Sequence, residues 1–295
     1  MSDQRRDLAM DPHGKLWSLL YSTVLLEVHI SSVPKDDSKP PDGSATGFLF
    51  FKQVEGSRGC YYLVTNRHVV QGAKAIVFSM TAKSDGRPVV GRPVRCIIEN
   101  AEAKFVTHPD PTVDVAVFDA SLQFSDDAFR GGVYYQSVFS GDCPNEDELR
   151  EHFDAIEDVA IVGYPRGIYD SHNLQPVVRK GSTATPMWLD YEKKPTFLID
   201  APIFPGSSGS PVFLYDRGLV ITGGAEVRYC RCHFVGIVAC YKYFIESVAA
   251  SGGASDALSL LVSRKENLNL GVVFRTRTIL KAIAAHEAKA RGESP

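Results

Sequence analysis

The stretch FPGSSGSPVF, residues 204–213, places two glycines and three serines between two prolines and then returns to apolar, strand-like sequence. Glycine and serine beside proline are typical of a tight turn between strands, which requires no chemistry. The alternative is that one serine is a nucleophile. A serine hydroxyl reacts slowly at neutral pH unless a histidine base lies beside it, usually oriented by a carboxylate. If Ser208 is reactive, the chain must supply that histidine and that carboxylate.

One histidine and three aspartates have suitable settings. His68 comes directly after a strand-like run, at an edge from which its side chain can project. Taken alone, such a histidine is more often a structural or surface residue. Asp114 stands at the head of an apolar strand that would hold it rigidly, whereas Asp110 lies in a proline-flanked turn and Asp119 ends the same strand. Aspartates at strand ends are commonly only turn caps, so neither signal decides alone.

The composition is that of a soluble globular protein, with 295 residues of which 44% are hydrophobic and 23% charged. The formal net charge of -3 provides no positive field for nucleic acid or anionic lipid, so neither partner is expected. The sequence has neither a secretory signal nor an apolar run long enough to span a membrane. We therefore expect a cytoplasmic protein whose six cysteines are reduced.

Short runs rich in Val, Ile, Phe and Tyr recur between Gly, Pro, Asn and Asp residues, as in an all-β sandwich or barrel. About six candidate strands come before a connector that lacks this strand-like pattern, and about six more follow it. The end of the chain has helical apolar spacing instead. The predicted units are an N-terminal β unit, the connector, a second β unit and a C-terminal helix with its tail: residues 1–120, 121–158, 159–275 and 276–295.

Two helices are predicted. In the connector, acidic residues open a helix at Asn145 or Glu146, where negative charge suits the positive end of the helix dipole. The second helix begins at Thr276 and carries Ile279 and Ile283 on one face.

In their order along the chain, five segments resemble those of the trypsin-like serine peptidases, and most closely the bacterial HtrA-like branch. The resemblance implies an all-β fold of two six-stranded antiparallel β-barrels, the chymotrypsin-like double barrel, with a C-terminal α-helix. His68 and Asp114 would then lie in the N-terminal barrel and Ser208 in the C-terminal barrel. The segments are ATGFLF, TNRHVV, DVAVFD, IDAPIFPGSSGSPVF and FVGIVA.

The same resemblance implies the chemistry. Ser208 holds the third position of the family's G-x-S-G pattern and would be the nucleophile, with His68 as its base and Asp114 orienting the imidazole. The backbone amides of Gly206 and Ser208 would form the oxyanion hole. The substrate would be a polypeptide, and no cofactor would be required.

The sequence departs from the family in ways that bear on activation and specificity. Ser207 replaces the aspartate that, in digestive members, pairs with a newly cut N-terminus, so activation of that kind is not expected. Pro202 falls at the base of the pocket for the residue before the cut, where trypsin-type members carry an aspartate. An uncharged residue should therefore be preferred. The resemblance places Ala239, Cys240 and Tyr241 on the strand that pairs with substrate backbone.

An unusually long segment, residues 215–233, lies between the nucleophile strand and the next one, and predicts an extended hairpin that could act as a lid or a docking surface. Its Cys230, Cys232 and His233 could ligate zinc, but a fourth ligand is not evident and the spacing is not C-x-x-C. We favour simple packing and predict no metal. About 20 residues follow the last predicted strand, too few for a PDZ-like module.

Two other functions stay open. A catalytically idle module could keep the scaffold only to bind a peptide or protein, because a fold does not fix a function. A regulatory protein could instead activate a dormant peptidase by contacting the long hairpin or the connector and ordering the oxyanion loop.

Overall fold

The structure is a computed structural model, and it describes residues 15–36, 39–56, 58–222, 225–249 and 261–292. Residues 1–14, 37–38, 57, 223–224, 250–260 and 293–295, which include the ends of the first and last predicted units, lie outside the described residues. The strands are β1 (Thr23–His29), β2 (Gly43–Glu55), β3 (Arg58–Thr65), β4 (Ala75–Ser84), β5 (Arg87–Glu99), β6 (Val106–Thr107), β7 (Ala116–Asp119), β8 (Val133–Tyr134), β9 (Val138–Phe139), β10 (Asp158–Gly163), β11 (Val177–Thr183), β12 (Thr196–Asp200), β13 (Pro211–Thr222), β14 (Ala225–Ala249) and β15 (Leu261–Arg275).

The helices are short apart from the last. None of those in the described ranges combines the length and the hydropathy that crossing a bilayer requires. They are α1 (Lys15–Leu19), α2 (Arg67–Val70), α3 (Ala101–Lys104), α4 (Ser121–Ser125), α5 (Asp127–Gly132), α6 (Glu146–His152) and α7 (Thr276–Ala290).

The strands form two sheets. The first follows the order β5-β4-β1-β2-β3-β7-β6, and the connector adds β8 against β4 and β9 against β2, the latter in parallel. The second is a closed barrel in the order β10-β11-β12-β15-β14-β13, with antiparallel pairings. The predicted fold class, a chymotrypsin-like double β-barrel with a C-terminal helix, is confirmed.

The side chains of β2 enter two different cores in alternation, because successive side chains of a strand point to opposite faces. Leu49 enters the interior of the first sheet, whereas Phe48 and Phe50 point outward and are fully buried against the second barrel. Phe234 of β14 meets both phenylalanines, with ring centroids 5.3 and 6.1 Å away. The two sheets are therefore joined by an aromatic core of their own.

The connector helix begins where the sequence predicted. The Asn145 side chain accepts hydrogen bonds from the amides of Asp147 (2.9 Å) and Glu148 (3.0 Å), and the Glu148 carboxylate accepts one from the Asn145 amide (2.8 Å). This reciprocal capping box satisfies amides that the first helical turn leaves free. Glu146 then accepts a hydrogen bond from the buried guanidinium of Arg275 (2.9 Å), which ties the connector to the end of β15.

The predicted long hairpin is present. Strand β13 pairs with β14 from Pro211↔Ile237 to Thr222↔Ala225. A second arm, which the sequence analysis missed, is formed by the far end of β14 and the start of β15. In the described part of the chain no three His, Cys, Asp or Glu side chains are arranged to hold a metal ion, and the ring of His233 packs edge-on against Phe153 at 5.4 Å.

Helix α7 closes the joint between the two sheets. Ile279 and Ile283 are fully buried in the aromatic core. One turn further on, the Glu287 carboxylate accepts hydrogen bonds from Lys52 Nζ (2.7 and 2.8 Å) and from the Tyr62 hydroxyl (3.3 Å), both on the first sheet. The helix therefore holds the two sheets in one arrangement.

This packing predicts the effect of truncating α7. Ile283→Ala should lower the free energy of unfolding by about 2–5 kcal/mol, because it leaves a cavity in the core that joins the sheets. Leu280→Ala, in the same helix but 36% exposed, is the matched control and should cost less than about 1 kcal/mol. Urea denaturation measures both values, and equal losses would show that α7 does not stabilise the joint.

Candidate active site

The first sheet brings His68 and Asp114 together. His68 lies in the one-turn helix α2, directly after β3, and Asp114 lies just before β7. The Asp114 carboxylate contacts His68 twice, through Oδ2 to Nδ1 at 2.6 Å and through Oδ1, which accepts from the His68 amide at 2.9 Å. The Asn66 side chain donates to the Asp114 carbonyl at 2.6 Å and fixes the loop that carries it. The imidazole is thus held by Nδ1, which leaves Nε2 for other chemistry.

The other two aspartates serve the local backbone. Asp110 Oδ1 accepts hydrogen bonds from the Thr112 amide (2.9 Å) and hydroxyl (2.7 Å), and these bonds hold the pKa of its carboxyl below the ordinary value. Asp119 Oδ1 accepts from the Ser121 amide at 2.9 Å. Of the three candidates, it is Asp114 that faces the histidine.

The opening stretch of the sequence contains two consecutive turns, and we call residues 204–210 the glycine-serine loop. The first turn is closed by the Ser207 amide donating to the Phe204 carbonyl at 3.0 Å. Pro205 follows Phe204, and Gly206 has φ = +87°, which is the residue pattern of a type II turn. The Pro205 carbonyl accepts from the Arg166 amide at 2.6 Å. Since the C=O and N–H of a trans peptide point in opposite directions, the Gly206 amide faces away from Arg166.

The second turn, from Ser207 to Ser210, has the same geometry as the first. The Ser210 amide donates to the Ser207 carbonyl at 3.0 Å, and Gly209 again has φ = +87°. Because the Ser207 carbonyl points towards the Ser210 amide, the Ser208 amide of the same peptide group points in the opposite direction. Within the described residues, neither the Gly206 amide nor the Ser208 amide donates a hydrogen bond. Both amides are available to an external oxygen.

The hydroxyl of the predicted nucleophile is hydrogen-bonded to β14. The Ser208 hydroxyl donates to the Ala239 carbonyl at 3.0 Å, and among the described residues it forms no hydrogen bond with the His68 ring. Hydrogen bonds of this kind are often long or unformed before substrate binds. The structure therefore joins His68 to Asp114 and Ser208 to β14.

Sequence reasoning missed Thr46, a fully buried residue of β2 that holds the glycine-serine loop from the first sheet. Its amide donates to the Ser208 carbonyl (2.8 Å) and its hydroxyl donates to the Gly206 carbonyl (3.0 Å). The same hydroxyl accepts from the Tyr164 amide (3.1 Å) and the Ser210 hydroxyl (3.2 Å). One donor and two acceptor positions are all that a hydroxyl has, so every one is used. The segment ATGFLF carried this residue, but its partners are too distant in sequence to be inferred.

Gly209 is needed for a second reason besides its backbone angle. A Cβ atom at this position would lie 1.9 Å from the Thr46 carbonyl oxygen and 2.7 Å from the Thr65 hydroxyl oxygen. That hydroxyl donates to the Thr46 carbonyl at 2.8 Å, and the Gly209 amide donates to the Val238 carbonyl at 2.8 Å. The loop therefore lies directly on β2, with no room for a side chain between them.

The predicted substrate-binding residues divide between two places. Ala239, Cys240 and Tyr241 line a groove of about 590 Å³ that also reaches Asp114. Pro202 is exposed, is not part of the lining of that groove, and its carbonyl accepts a hydrogen bond from the Arg179 guanidinium.

The close contact at Gly209 predicts a large difference between two glycine substitutions. Gly72→Ala places an alanine at φ = +73° with open space around it, so only backbone strain of about 1–2 kcal/mol is expected. Gly209→Ala adds the collision with β2 and should cost about 3–5 kcal/mol in total. Chemical denaturation of the two variants measures the difference, and similar losses would mean that the loop does not lie against Thr46.

Comparison with known proteins identifies the family. The sequence profile of the trypsin-like peptidase domain matches residues 45–221, more than half of the chain, and this range includes His68, Asp114 and Ser208. No curated protein matches the sequence. The closer kinship to the HtrA-like branch stays a prediction. The chain belongs to the trypsin-like peptidase family.

Proposed function

We propose that the protein is a serine endopeptidase that cleaves polypeptides with Ser208 as nucleophile, His68 as general base and Asp114 as its orienting carboxylate. The observation that carries this proposal is the double contact of the Asp114 carboxylate with His68, at 2.6 Å to Nδ1 and 2.9 Å to the amide. It fixes the ring with Nε2 free, which is the form that accepts a proton from a serine hydroxyl.

In the proposed reaction, the Ser208 hydroxyl turns from the Ala239 carbonyl towards His68. Its proton passes to Nε2 as Oγ bonds to the peptide carbonyl carbon, and the carbonyl oxygen takes the negative charge. The imidazolium, stabilised by Asp114, returns that proton to the leaving nitrogen as the C–N bond breaks. Water then attacks the acyl-enzyme, giving its proton to His68, and the released Ser208 oxygen recovers one.

The free amides of the glycine-serine loop support this mechanism. A tetrahedral intermediate carries its negative charge on the former carbonyl oxygen, and the Gly206 and Ser208 amides would donate to it. Removal of one such donor typically costs about 2.7–4 kcal/mol of transition-state stabilisation. Because both turns are already closed by internal hydrogen bonds, the donors need no reorganisation before the reaction.

Substrate backbone would bind along β14. This strand pairs with β13 as far as Ile237, and on that side the backbone from Ala239 onward has no strand partner in the described part of the chain. An extended peptide can add to such an edge. When Ser208 turns to His68, the Ala239 carbonyl becomes free to accept the amide of the residue before the cut. Cys240 and Tyr241 would contact the residues that precede it.

We further propose a preference for an uncharged residue before the cut. Pro202 supplies no carboxylate, and the next residue, Ile203, is buried and apolar.

One observation favours a second candidate, a dormant peptidase that a protein partner activates. Ser208 bonds to the Ala239 carbonyl, and within the described residues it forms no hydrogen bond with His68. The connector and the long hairpin meet at a cleft of about 330 Å³ lined by Cys143, His152, Phe153 and Arg231, among others. A partner bound there would contact both elements that the sequence analysis singled out.

Covalent labelling by a fluorophosphonate, followed by intact-mass spectrometry, tests the proposal. The parent protein should gain one label, and Ser208→Ala and His68→Ala should gain none within the same time. Ser207→Ala is the matched control, since Ser207 is buried next to the nucleophile, and it should be labelled like the parent. No labelling of a folded parent, alone or with lysate of its native host added, would contradict the proposed activity.

A further inference from the structure

Two arginines share one aromatic ring beside the glycine-serine loop. The guanidinium carbon of Arg179 lies 4.7 Å from the ring centroid of Phe204, and that of Arg166 lies 5.7 Å from it. Both distances are within the range of a cation–π contact. Phe204 opens the loop, so the two positive charges lie at its entrance.

Neither guanidinium has an acidic partner among the residues that the structure describes. Within the described residues, neither Arg166 nor Arg179 forms an ion pair, and the Arg179 guanidinium donates only to the Pro202 carbonyl. The aspartate of the adjoining loop, Asp170, is committed elsewhere, because its carboxylate accepts from the amides of Asn173 (3.0 Å) and His172 (3.1 Å). A pair of arginines with most of its donors free is suited to a carboxylate, which the planar guanidinium binds in two-point fashion.

The backbone of Arg166 points to a role for its side chain. Arg166 has φ = +52° and ψ = +27° within the turn Pro165–Gly167, a conformation that glycine adopts more easily than any residue with a Cβ. Its amide bonds the Pro205 carbonyl, and a glycine would serve that purpose equally well. The side chain is exposed and makes no hydrogen bond to other described residues. The backbone geometry alone therefore does not account for an arginine here.

The position of the pair relative to the cut follows from how the loop is attached. At one end of the loop, the Gly209 amide donates to the Val238 carbonyl of β14 and the Val238 amide donates to the Ser210 carbonyl (2.9 Å). At the other end, the Pro205 carbonyl is bonded to Arg166. The turn Pro165–Gly167 also lies against the start of β2, since a Cβ atom at Gly167 would be 3.6 Å from the Ser44 hydroxyl oxygen. A peptide that runs along β14 to Ser208 and continues past it would pass this turn.

From this arrangement we infer that Arg166 and Arg179 form a subsite for an acidic side chain of the substrate, within the first three residues after the cut. The inference rests on the proposed peptidase function. The expected substrates are polypeptides that have an uncharged residue before the cleaved bond and an aspartate or glutamate within the first three residues after it.

Digestion of a proteome-derived peptide library, with cleavage sites read by mass spectrometry, tests the subsite. For the parent we expect aspartate and glutamate to be enriched about three- to fivefold at one of those three positions, as a partly exposed ion pair allows. Arg166→Gly, which relieves the left-handed backbone, and Arg179→Gln should each reduce the enrichment. Lys180→Gln is the matched control, because Lys180 points to the other face of β11, over Tyr215 at 5.6 Å. It should keep the enrichment.

Direct binding separates this inference from the proposed function. On the Ser208→Ala background, fluorescence anisotropy compares two labelled octapeptides of glycine and alanine that differ only in two glutamates replaced by glutamines. The glutamate peptide should bind more tightly, and adding Arg166→Gly should reduce the difference. Cleavage without acidic enrichment would overturn the subsite and leave the peptidase standing. A protein that neither labels nor cleaves would overturn the peptidase, and equal binding of the two peptides would then overturn the subsite as well.

Discussion

The contact between Thr46 and the glycine-serine loop is the interaction on which the arrangement of the site depends. Thr46 belongs to the first sheet, yet its amide bonds the Ser208 carbonyl and its hydroxyl bonds the Gly206 carbonyl, both on the second barrel. All three hydrogen-bonding positions of the hydroxyl are occupied and the residue has no exposed surface. Leaving a buried polar group without its partner typically costs about 1–3 kcal/mol, so the loop and β2 can separate only at considerable cost. This contact also explains how the loop is held without the aspartate that Ser207 replaces.

The aromatic core between the sheets maintains that contact. Phe48 and Phe50 follow Thr46 along the same strand and pack against Phe234 of the second barrel, and α7 covers them with Ile283. The His68 and Asp114 pair lies entirely on the first sheet, whereas the proposed nucleophile lies on the second. The proposed chemistry therefore depends on the apolar interface between the sheets. This interface must set the distance between His68 and Ser208 to within a fraction of an ångström, because local sequence cannot bring the two residues together.

Features that rest on neighbouring residues were predictable. The two glycines at φ = +87°, the capping box at Asn145 and the position of Asp114 at a strand head all follow from short-range rules. The partners of the Thr46 hydroxyl and the stacking of Arg166 and Arg179 on Phe204 do not, because they join segments that only tertiary packing brings together. The second hairpin arm was missed for a related reason, since a strand as long as β14 changes partner part-way along and its sequence gives no sign of where.

The reactivity of Ser208 in a Thr46 variant tests this account most directly. The measurement is the rate of fluorophosphonate labelling for Thr46→Val, which keeps the shape and loses the hydroxyl, relative to Thr46→Ser, which keeps the hydroxyl. If the hydroxyl holds the oxyanion amides in place, the valine variant should react at least about tenfold more slowly than the serine variant, as the loss of about 1.4 kcal/mol implies. Equal rates in two folded variants would contradict the central role given to Thr46.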